Sequence, residues 1–427
     1  MRAKTVEYSH KRVLIVAFYF PPCGGAGVQR TAKFVRYLPE FGWLPTVLTI
    51  APSHYALMDN SHADDLPEGV DVIRAGGKSG ENDSENVPWI ATKFFANQLR
   101  FRRSGNRIAP NGLRWRGLAV AAGLREQRRR RFDLIYATGE PYSDYLIALT
   151  LSRLIRLPFL IDMRDPWTLA PYQTERLSTA RSLVQRRQER RVLSACSACI
   201  FANRSIESYA QAFPQWKQKF HYIPNGYDPA DFEGIEPRRF DKFTVVHNGN
   251  FLAGYRTADT FLFALRDMLR AHAELRERMQ VLFIGRIDDE EQGLIRELAL
   301  GDVVKQIGYV PHRQSLEYVK GADLLLLVGG KHRWEETGKV YEYLAAGRPI
   351  LALVQPDGAA AELLRQYSAA SVIDRDNRQE TYAALREAIS GGSIAASALR
   401  ADPRPWIRQY ERKRLTETLA QILDGCL

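Results

Sequence analysis

The apolar positions along the chain form short runs that alternate with stretches of helical periodicity. The run RVLIVAFYF at 12–20 is almost entirely apolar, which is typical of a strand covered on both faces. From Val28 to Leu38 the apolar residues recur at helical spacing, and the run TVLTI at 46–50 has the composition of a second strand. The order of strand, helix and strand predicts a βαβ unit with parallel strands.

The same alternation continues through two series of runs. The first series predicts further strands at 133–138, 158–162, 198–202 and 220–224. The second predicts strands at 243–249, 281–285, 303–308, 322–328, 349–354 and 370–374. Two series of this length predict an α/β protein with two doubly wound, Rossmann-like parallel-sheet domains.

The segment between the two series is rich in Gly, Pro and Asp, as linkers are. We therefore predict an N-terminal domain over 1–225, a linker over 226–242 and a C-terminal domain over 243–402. Residues 403–427 are predicted to form a C-terminal helix that packs back toward the N-terminal domain. A basic insertion is predicted near 76–131.

Composition narrows the choice of partners. The 427 residues are 45% hydrophobic and 26% charged, which is typical of a globular protein, and the formal net charge is +11. This balance favours acidic partners: nucleic acid, an anionic membrane surface or phosphorylated small molecules.

The cysteines and the apolar runs bear on location. Cys196 and Cys199 form a C-x-x-C, but they lead into a predicted strand and no second pair has zinc spacing, so we interpret them as structural. The most apolar window is interrupted by Arg153 and Arg156 and does not predict a transmembrane helix, and no signal peptide is predicted. We expect a cytoplasmic protein, either free or peripheral on the inner face of the membrane.

A glycine-rich loop, PPCGGAGVQR at 21–30, lies between the first predicted strand and its helix. Ligands of open parallel sheets bind beyond the carboxyl ends of the strands, and a helix N-terminus suits a phosphate. Gly27 would let the backbone approach such an anion closely. A dinucleotide fingerprint is the alternative, but Arg30 stands where its third Gly or Ala should be.

A second informative stretch, EETGKVYEYLAAGRPILALVQPDG, spans 335–358. It predicts a helix that begins at Gly338 and ends at Gly347. We expect a phosphate at the helix N-terminus beside Lys339, and ribose hydroxyls at Glu342 one turn later. For Glu342 alone, ordinary capping is the alternative explanation.

Four segments resemble the retaining glycosyltransferases of the GT-B fold, in the family-four group that includes enzymes of bacterial surface polysaccharides. They are PPCGGAGVQR, IPNGYD at 223–228, IGYVPHRQSLEYVKGADLLLLV at 307–328 and GKVYEYLAAGRPILAL at 338–353. The resemblance implies two Rossmann-like domains facing across a cleft. It also implies that the second domain binds a nucleotide-sugar donor and the first an acceptor.

The resemblance assigns roles to particular residues. Gly27 matches the glycine whose backbone meets the donor phosphates, and Glu342 matches the second glutamate of the E-x7-E pattern, which holds the ribose. The residues expected to bind donor are Gly27, Asn250, Gly285, Tyr309, Val310, Gly338 and Glu342. The co-substrate is expected to be UDP- or GDP-linked, and no other cofactor is implied.

The sequence departs from the family pattern at three places. Trp334 occupies the position of the first glutamate, with Glu335 beside it at a different spacing. The usual Arg and Lys pair of the second domain is replaced by Asn250 and Arg256, and Gly139 stands in place of a histidine of the first domain.

If the chain is such a glycosyltransferase, catalysis relies on positive charge beside the donor phosphates. Arg256 and Lys339, with the helix N-termini, would stabilise the charge that develops on the leaving phosphate. No histidine cluster is present, and no metal site is predicted.

The first domain offers fewer candidates. Glu140 and Asp165 are the catalytic candidates there, and Arg30 and Arg164 are expected on the acceptor side. An ion pair and a cap at a strand end explain the cluster around Arg164 and Asp165 equally well.

Two arginine runs belong to the predicted first domain. Arg100–Arg131 contains eleven arginines and one acid, and Arg176–Arg191 contains six arginines and one acid. A solvated helix face is the usual explanation of a charge run. Because Trp115, Leu118 and Val120 give the first run an apolar side, it also resembles a basic amphipathic helix that lies on a membrane. No nucleic-acid-binding motif accompanies these runs.

We therefore expect a glycosyltransferase acting on a glycan or lipid-linked acceptor at a membrane surface. A nucleotide-sugar epimerase of the same fold is one alternative, and it would need no acceptor site. A non-catalytic, arginine-rich binding protein with a degenerate glycosyltransferase fold is another, and Trp334 is its best support.

Overall fold

The computed structural model describes residues 10–55, 57–62, 66–77, 112–170, 179–391 and 404–427. The chain forms two compact units. The first consists of Met1–Pro224 with Arg412–Leu427, and the second of Asn225–Glu411. Each unit contains one parallel sheet with helices on its faces, so the predicted fold class is confirmed.

The first unit contains a seven-stranded sheet in the order β3-β2-β1-β4-β5-β6-β7. The strands are β1 (Lys11–Val16), β2 (Trp43–Ile50), β3 (Asp71–Ala75), β4 (Leu134–Gly139), β5 (Phe159–Met163), β6 (Ala198–Phe201) and β7 (Phe220–Tyr222). Its described helices are α1 (Ala26–Tyr37), α2 (Leu113–Arg130), α3 (Ser143–Ile155), α4 (Thr179–Ala195), α5 (Ser205–Ala212) and α15 (Arg412–Asp424).

Strand β1 explains the continuous apolar run at the start of the chain. Leu14 and Val16 pack into the apolar layer on one face of the sheet, and Val13 and Ile15 pack into the layer on the other. All four are fully buried or nearly so, as expected for a central strand of a parallel sheet.

The second unit contains a six-stranded sheet in the order β10-β9-β8-β11-β12-β13. The strands are β8 (Phe243–Asn248), β9 (Met279–Ile284), β10 (Val304–Gly308), β11 (Leu324–Val328), β12 (Ile350–Val354) and β13 (Ala370–Asp374). The described helices are α6 (Pro229–Phe232), α7 (Asp259–Ala271), α8 (Leu275–Arg278), α9 (Asp289–Glu297), α10 (His312–Gly321), α11 (Gly338–Ala346), α12 (Ala359–Leu364), α13 (Arg378–Ile389) and α14 (Arg404–Ile407).

The predicted linker is an integral part of the second unit. Ile235 is 3% exposed, and the Arg238 N–H donates to the Glu317 carbonyl at 3.0 Å. The Tyr227 N–H donates to the Tyr410 carbonyl at 3.2 Å. Its apolar side chains thus anchor a segment whose Gly, Pro and Asp content alone had indicated a loop.

Helix α2 packs differently from the amphipathic surface helix that its sequence suggested. Trp115 is fully buried, and its Nε1–H donates to Asp144 Oδ1 at 2.7 Å, while Val120 is 7% exposed. The apolar side of this helix therefore faces the protein core and is not available to a membrane. Residues 78–111, which carry the rest of the predicted insertion, lie outside the described residues.

Buried Asp144 is a further feature of this packing. Its Oδ2 accepts the Phe18 N–H at 2.8 Å, in addition to the bond from Trp115. Burial raises the pKa of Asp144 to about 7, although these hydrogen bonds act in the opposite direction.

Candidate functional site

The order of strands places a crevice in the second unit. The chain leaves β8 toward β9 on one side and leaves β11 toward β12 on the other, although β8 and β11 are neighbours. The loops that follow these two strands therefore diverge, which is the arrangement where open α/β sheets bind ligands. These loops are residues 249–258 and 329–337.

Helix α11 begins at this crevice. It runs from Gly338 to the left-handed Gly347, whose φ of 66° suits a glycine, and it lies between β11 and β12. The Thr337 side chain makes no capping hydrogen bond, and the first turn of the helix contains no acidic residue. The positive end of the helix dipole is thus left without a side-chain cap, which suits an anion.

Glu342 lies one turn into α11 and is 5% exposed. Its Oε2 accepts a hydrogen bond from Lys339 Nζ at 2.9 Å, and its Oε1 accepts one from His312 Nε2 at 3.0 Å. Burial favours protonation of this carboxyl, but Lys339 and His312 outweigh burial and hold the pKa of Glu342 well below its usual range. Glu342 is therefore ionised in the folded protein.

Arg256 reaches the loop before α11. Its Nη2 donates to Glu335 Oε1 at 2.7 Å, and both side chains are mostly buried. A third cation, Arg375, lies at the end of β13 and is 7% exposed. Its Nη1 donates to the carbonyls of Tyr255 and Gly329 at 3.0 and 3.2 Å, so it joins the two loops of the crevice.

His247 lies beneath these cations near the end of β8. Its Nδ1 is 2.9 Å from the Leu326 carbonyl, to which it donates, and its ring stacks on Phe251. Its Nε2 is buried without a hydrogen-bond partner among the described residues. Burial, together with the nearby charges of Arg256 and Lys339, lowers the pKa of His247 to about 4, so the ring is neutral.

Asn250 and Gly285 connect the loops after β8 and β9. Asn250 Oδ1 accepts the Arg286 N–H at 2.8 Å. Gly285 has a φ of +117°, and a Cβ there would lie 2.5 Å from the Gly249 carbonyl oxygen. Only glycine fits this close approach, so both predicted donor residues shape the loop that leads to Arg256.

The predicted base-flanking residues follow β10. Tyr309 is 43% exposed and Val310 is partly buried, and α10 begins two residues later with His312. This loop contributes His312 to Glu342. The structure therefore connects the predicted nucleobase loop with the predicted ribose ligand.

The first unit has a similar crevice, because the loops that follow the neighbouring strands β1 and β4 lead to opposite sides of the sheet. The glycine loop follows β1, and α1 begins at Ala26 after Gly25, whose φ is 100°. The Arg164 guanidinium, from the end of β5, donates to three carbonyls: Gly139 at 2.8 Å, Gly27 at 2.5 Å, and Glu140. Arg164 thus fastens the N-terminus of α1 to the end of β4.

Arg30 lies in the interior of the first unit. It is 1% exposed, its Nη2 is 2.8 Å from Asp162 Oδ1, and its Nη1 donates to the Pro224 carbonyl at 2.8 Å. Sequence analysis had expected Arg30 on the acceptor side. The structure instead places it in a buried ion pair between α1 and β5, without an open face for a ligand.

Glu140 and Asp165 remain near the surface at the ends of β4 and β5. The Tyr142 hydroxyl donates to Glu140 Oε1 at 3.1 Å, and Asp165 directly follows Arg164. Hydrogen bonds from Arg164 therefore bring the predicted residues Gly27 and Glu140 together, with Asp165 next in the chain, whereas Arg30 does not join them.

The part of the chain that the structure describes also bears on the predictions for cysteines, metal binding and membrane-spanning helices. Cys196 and Cys199 are both buried free thiols, as expected of structural cysteines. Within the described ranges, no three His, Cys, Asp or Glu side chains are placed to hold a metal ion. No described helix is long and apolar enough to cross a membrane.

Sequence reasoning missed four residues of the second-unit crevice: His247, His312, Glu335 and Arg375. His312 follows Pro311 in a quoted motif, so its place at a helix start was a usable signal. Glu335 does not have the family's spacing to Glu342, yet it is the carboxylate that holds Arg256. Nothing in the sequence around Arg375 indicates that β13 brings it to the crevice.

Comparison with known proteins agrees with this architecture. The family "Glycosyl transferase 4-like domain" matches residues 24–226, and "Glycosyl transferases group 1" matches residues 249–403. No curated protein matches the sequence.

Solved structures share the fold over nearly the whole chain. Sucrose-phosphate synthase from Thermosynechococcus elongatus is 14% identical with a TM-score of 0.67, covering 97% of this chain and 98% of its own. HepE of Anabaena, in complex with UDP-glucose, is 15% identical with a TM-score of 0.65, covering 97% and 100%. A glycosyltransferase from Rickettsia africae is 12% identical with a TM-score of 0.64, covering 98% and 99%.

Two parallel-sheet units and the two family matches define a glycosyltransferase of the GT-B fold. Within that class, the chain belongs to the family-four-like group.

Proposed function

We propose that the protein is a retaining, metal-independent glycosyltransferase that uses a UDP- or GDP-linked sugar. Its acceptor is a glycan or a lipid-linked sugar at the cytoplasmic face of a membrane, in the synthesis of a surface polysaccharide. The observation that carries the proposal is the uncapped N-terminus of α11 beside Lys339, in the crevice that also contains Arg256. The UDP-glucose bound by the Anabaena relative supports a uridine nucleotide.

The charges of the crevice suit a diphosphate. Lys339 and Arg256 are each held by one carboxylate, Glu342 and Glu335, so these four groups sum to zero. Arg375 is paired as well, with Asp376 Oδ1 at 3.4 Å from its Nε, so the α11 dipole is what adds positive charge to this balance. Cations that are already fixed in place stabilise the departing phosphate without reorganising during the reaction.

The proposed step needs little from other side chains. The bond between the anomeric carbon and the β-phosphate oxygen breaks, and the acceptor hydroxyl attacks from the same face. Its proton passes to the departing phosphate oxygen. The second unit binds the donor, and the first unit binds the acceptor near Glu140 and Asp165.

Glu342→Gln tests the donor site. The substitution keeps the shape of the side chain but removes the charge that positions Lys339 and accepts ribose hydroxyls. A hydrogen bond to a charged group is worth ~1.5–3 kcal/mol, so the dissociation constant of the nucleotide should rise by roughly tenfold or more. Calorimetric titration of the full chain with UDP, GDP and their sugars measures this. Glu342→Ala is a poorer test, because it would leave Lys339 and His312 without their carboxylate.

Glu297→Gln is the matched control, since Glu297 is exposed on α9 and makes none of the interactions described above. It should bind nucleotide like the wild type. Equal affinity in Glu342→Gln and the control would contradict the donor site. Product analysis separates the alternatives: transfer to an acceptor supports the proposal, whereas conversion of the donor sugar without an acceptor would identify an epimerase.

A further inference from the structure

Helix α4 of the first unit exposes a face of one charge sign. Its solvent-facing residues recur at helical spacing, so they lie on one side of the helix. They line, together with Trp216, a groove of about 570 Å³; the helix residues of this groove are Leu183, Arg186, Arg187, Arg190, Arg191 and Ser194. We call Leu183, Val184 and these four arginines the arginine face.

No acid on α4 offsets these charges at the surface. The one acidic residue of α4, Glu189, is fully buried and accepts the Thr168 N–H at 3.1 Å; of the arginine face, Arg186 interacts electrostatically with its carboxyl group. Within the described residues, none of the four arginines of this face takes part in a salt bridge. Arg190 lies over the Phe213 ring at 5.9 Å, a contact that leaves its charge uncompensated.

Apolar side chains lie beside the arginines. Leu183 and Val184 are 62% and 56% exposed, among the most exposed aliphatic side chains of the described chain. Trp216 is partly buried, and its ring stacks on Phe213 at 5.6 Å. These apolar side chains of α4 are exposed to solvent, whereas the apolar residues of α2 pack into the core of the first unit.

We infer that the arginine face is a docking surface for an anionic membrane. The guanidinium groups would bind the phosphates of lipid headgroups, since Arg suits phosphate recognition. Leu183 and Val184 would enter the interfacial layer, and Trp216 would lie at headgroup depth, where tryptophan is enriched. The inference rests on the membrane location in the proposed function, but not on the transfer reaction.

The test uses the full chain and phosphatidylcholine vesicles with or without phosphatidylglycerol. One variant changes Arg186, Arg187, Arg190 and Arg191 to Gln. Each Arg near an anionic surface is worth ~1 kcal/mol, or about fivefold in partitioning, so the four changes should lower binding to anionic vesicles by roughly several hundredfold. Wild-type binding should weaken as salt rises.

The matched control changes Arg114, Arg125, Arg128 and Arg129 of α2 to Gln. It removes the same charge from another surface of the first unit and should keep most of the vesicle binding. A second variant, Leu183→Ser with Val184→Ser, keeps every charge and should also weaken binding; because both side chains are exposed, its folding should be unaffected. Nucleotide binding, measured on the same preparations, should be unchanged in all three.

Several outcomes would overturn the inference. They are equal losses in the two arginine variants, wild-type affinity in the α4 variant, or equal binding to neutral and anionic vesicles. Tighter binding to single-stranded RNA than to vesicles would also overturn it. If the wild type does not bind nucleotide, the proposed function is contradicted instead, and the vesicle result is unaffected.

Discussion

Gly27 and Arg164 should be energetically coupled. A Cβ at position 27 would lie 2.5 Å from Arg164 Nη1, which is far closer than any real contact. The guanidinium would have to move, and its hydrogen bond to the Gly27 carbonyl would break. Gly27 lies within α1 and has no positive φ, so Gly27→Ala brings no backbone strain of its own.

The magnitude follows from the lost contacts. A hydrogen bond from a charged donor contributes ~1.5–3 kcal/mol, and partial exposure of Arg164 reduces this to about 1–2 kcal/mol. Alanine is better than glycine in a helix by up to ~1 kcal/mol. Gly27→Ala should therefore be close to neutral or mildly destabilising in the wild type, but stabilising when Arg164 is already Ala.

Denaturant unfolding of the four proteins of this double-mutant cycle gives the coupling energy, which we expect to be about 1–2 kcal/mol. Gly293→Ala is the control, because Gly293 lies in helix α9 with nothing within 4 Å of its Cβ position. Its effect should be the same with and without Arg164. Strict additivity between Gly27→Ala and Arg164→Ala would refute the reasoning.

The same four proteins address the proposed role of Gly27 at the donor phosphates. If the backbone at Gly27 approaches a phosphate, Gly27→Ala should lower turnover in both backgrounds, whatever happens to stability. Turnover that recovers in the Arg164→Ala background would show that Gly27 acts only through the guanidinium.

Two other predictions concern stability. The pKa of Asp144 in the folded protein is about 7, above its ordinary value of 3.8. Between these two pKa values Asp144 is protonated in the folded state but ionised in the unfolded state. The stability that this proton gives to the folded state is lost as pH rises through about 7. From about pH 5 to pH 7 the free energy of unfolding should fall by up to ~1.4 kcal/mol per pH unit from this group, and urea titrations of Asp144→Asn should lack that slope. Leu419→Ala on α15, where Leu419 is 1% exposed, should cost ~2–4 kcal/mol in the unfolding transition of the first unit; an unchanged transition would contradict the packing of α15.

The apolar pattern predicted most of the sheet, because buried strands of parallel sheets are nearly continuous apolar runs. Strand β3 (Asp71–Ala75) escaped prediction, since its sequence DVIRA is short, mixed and only partly buried. The apolar pattern also gave a wrong prediction for α2, whose apolar side was expected to face a membrane. An amphipathic helix has the same periodicity whether its apolar side meets a core or a membrane, and only the tertiary contacts of Trp115 distinguish the two.

Local motifs predicted the parts of the site that lie on one element, such as Lys339 and Glu342 on α11. They did not predict partners from distant segments. Arg256 is 79 residues from Glu335 in sequence, and the Arg375 guanidinium reaches Tyr255 over 120 residues. Arg30 is the opposite case. Because it lies beside the glycine loop in sequence, it was predicted on the acceptor side, but the fold buries it in an ion pair with Asp162.

Helix α15 belongs to the first unit but follows the second unit in the chain, which affects the order in which the two units can fold. Its Leu415, Leu419 and Leu423 complete an apolar layer of the first unit, and its Asp424 accepts from Trp43 Nε1 at 2.8 Å. During synthesis, residues 1–224 leave the ribosome before residues 225–411, yet the layer that α15 covers stays open until residues 225–411 have been translated. The second unit is encoded without interruption and can fold before the first is finished. Nascent chains therefore expose the layer around Trp43 longest, and a chaperone that recognises apolar surface would find its target there.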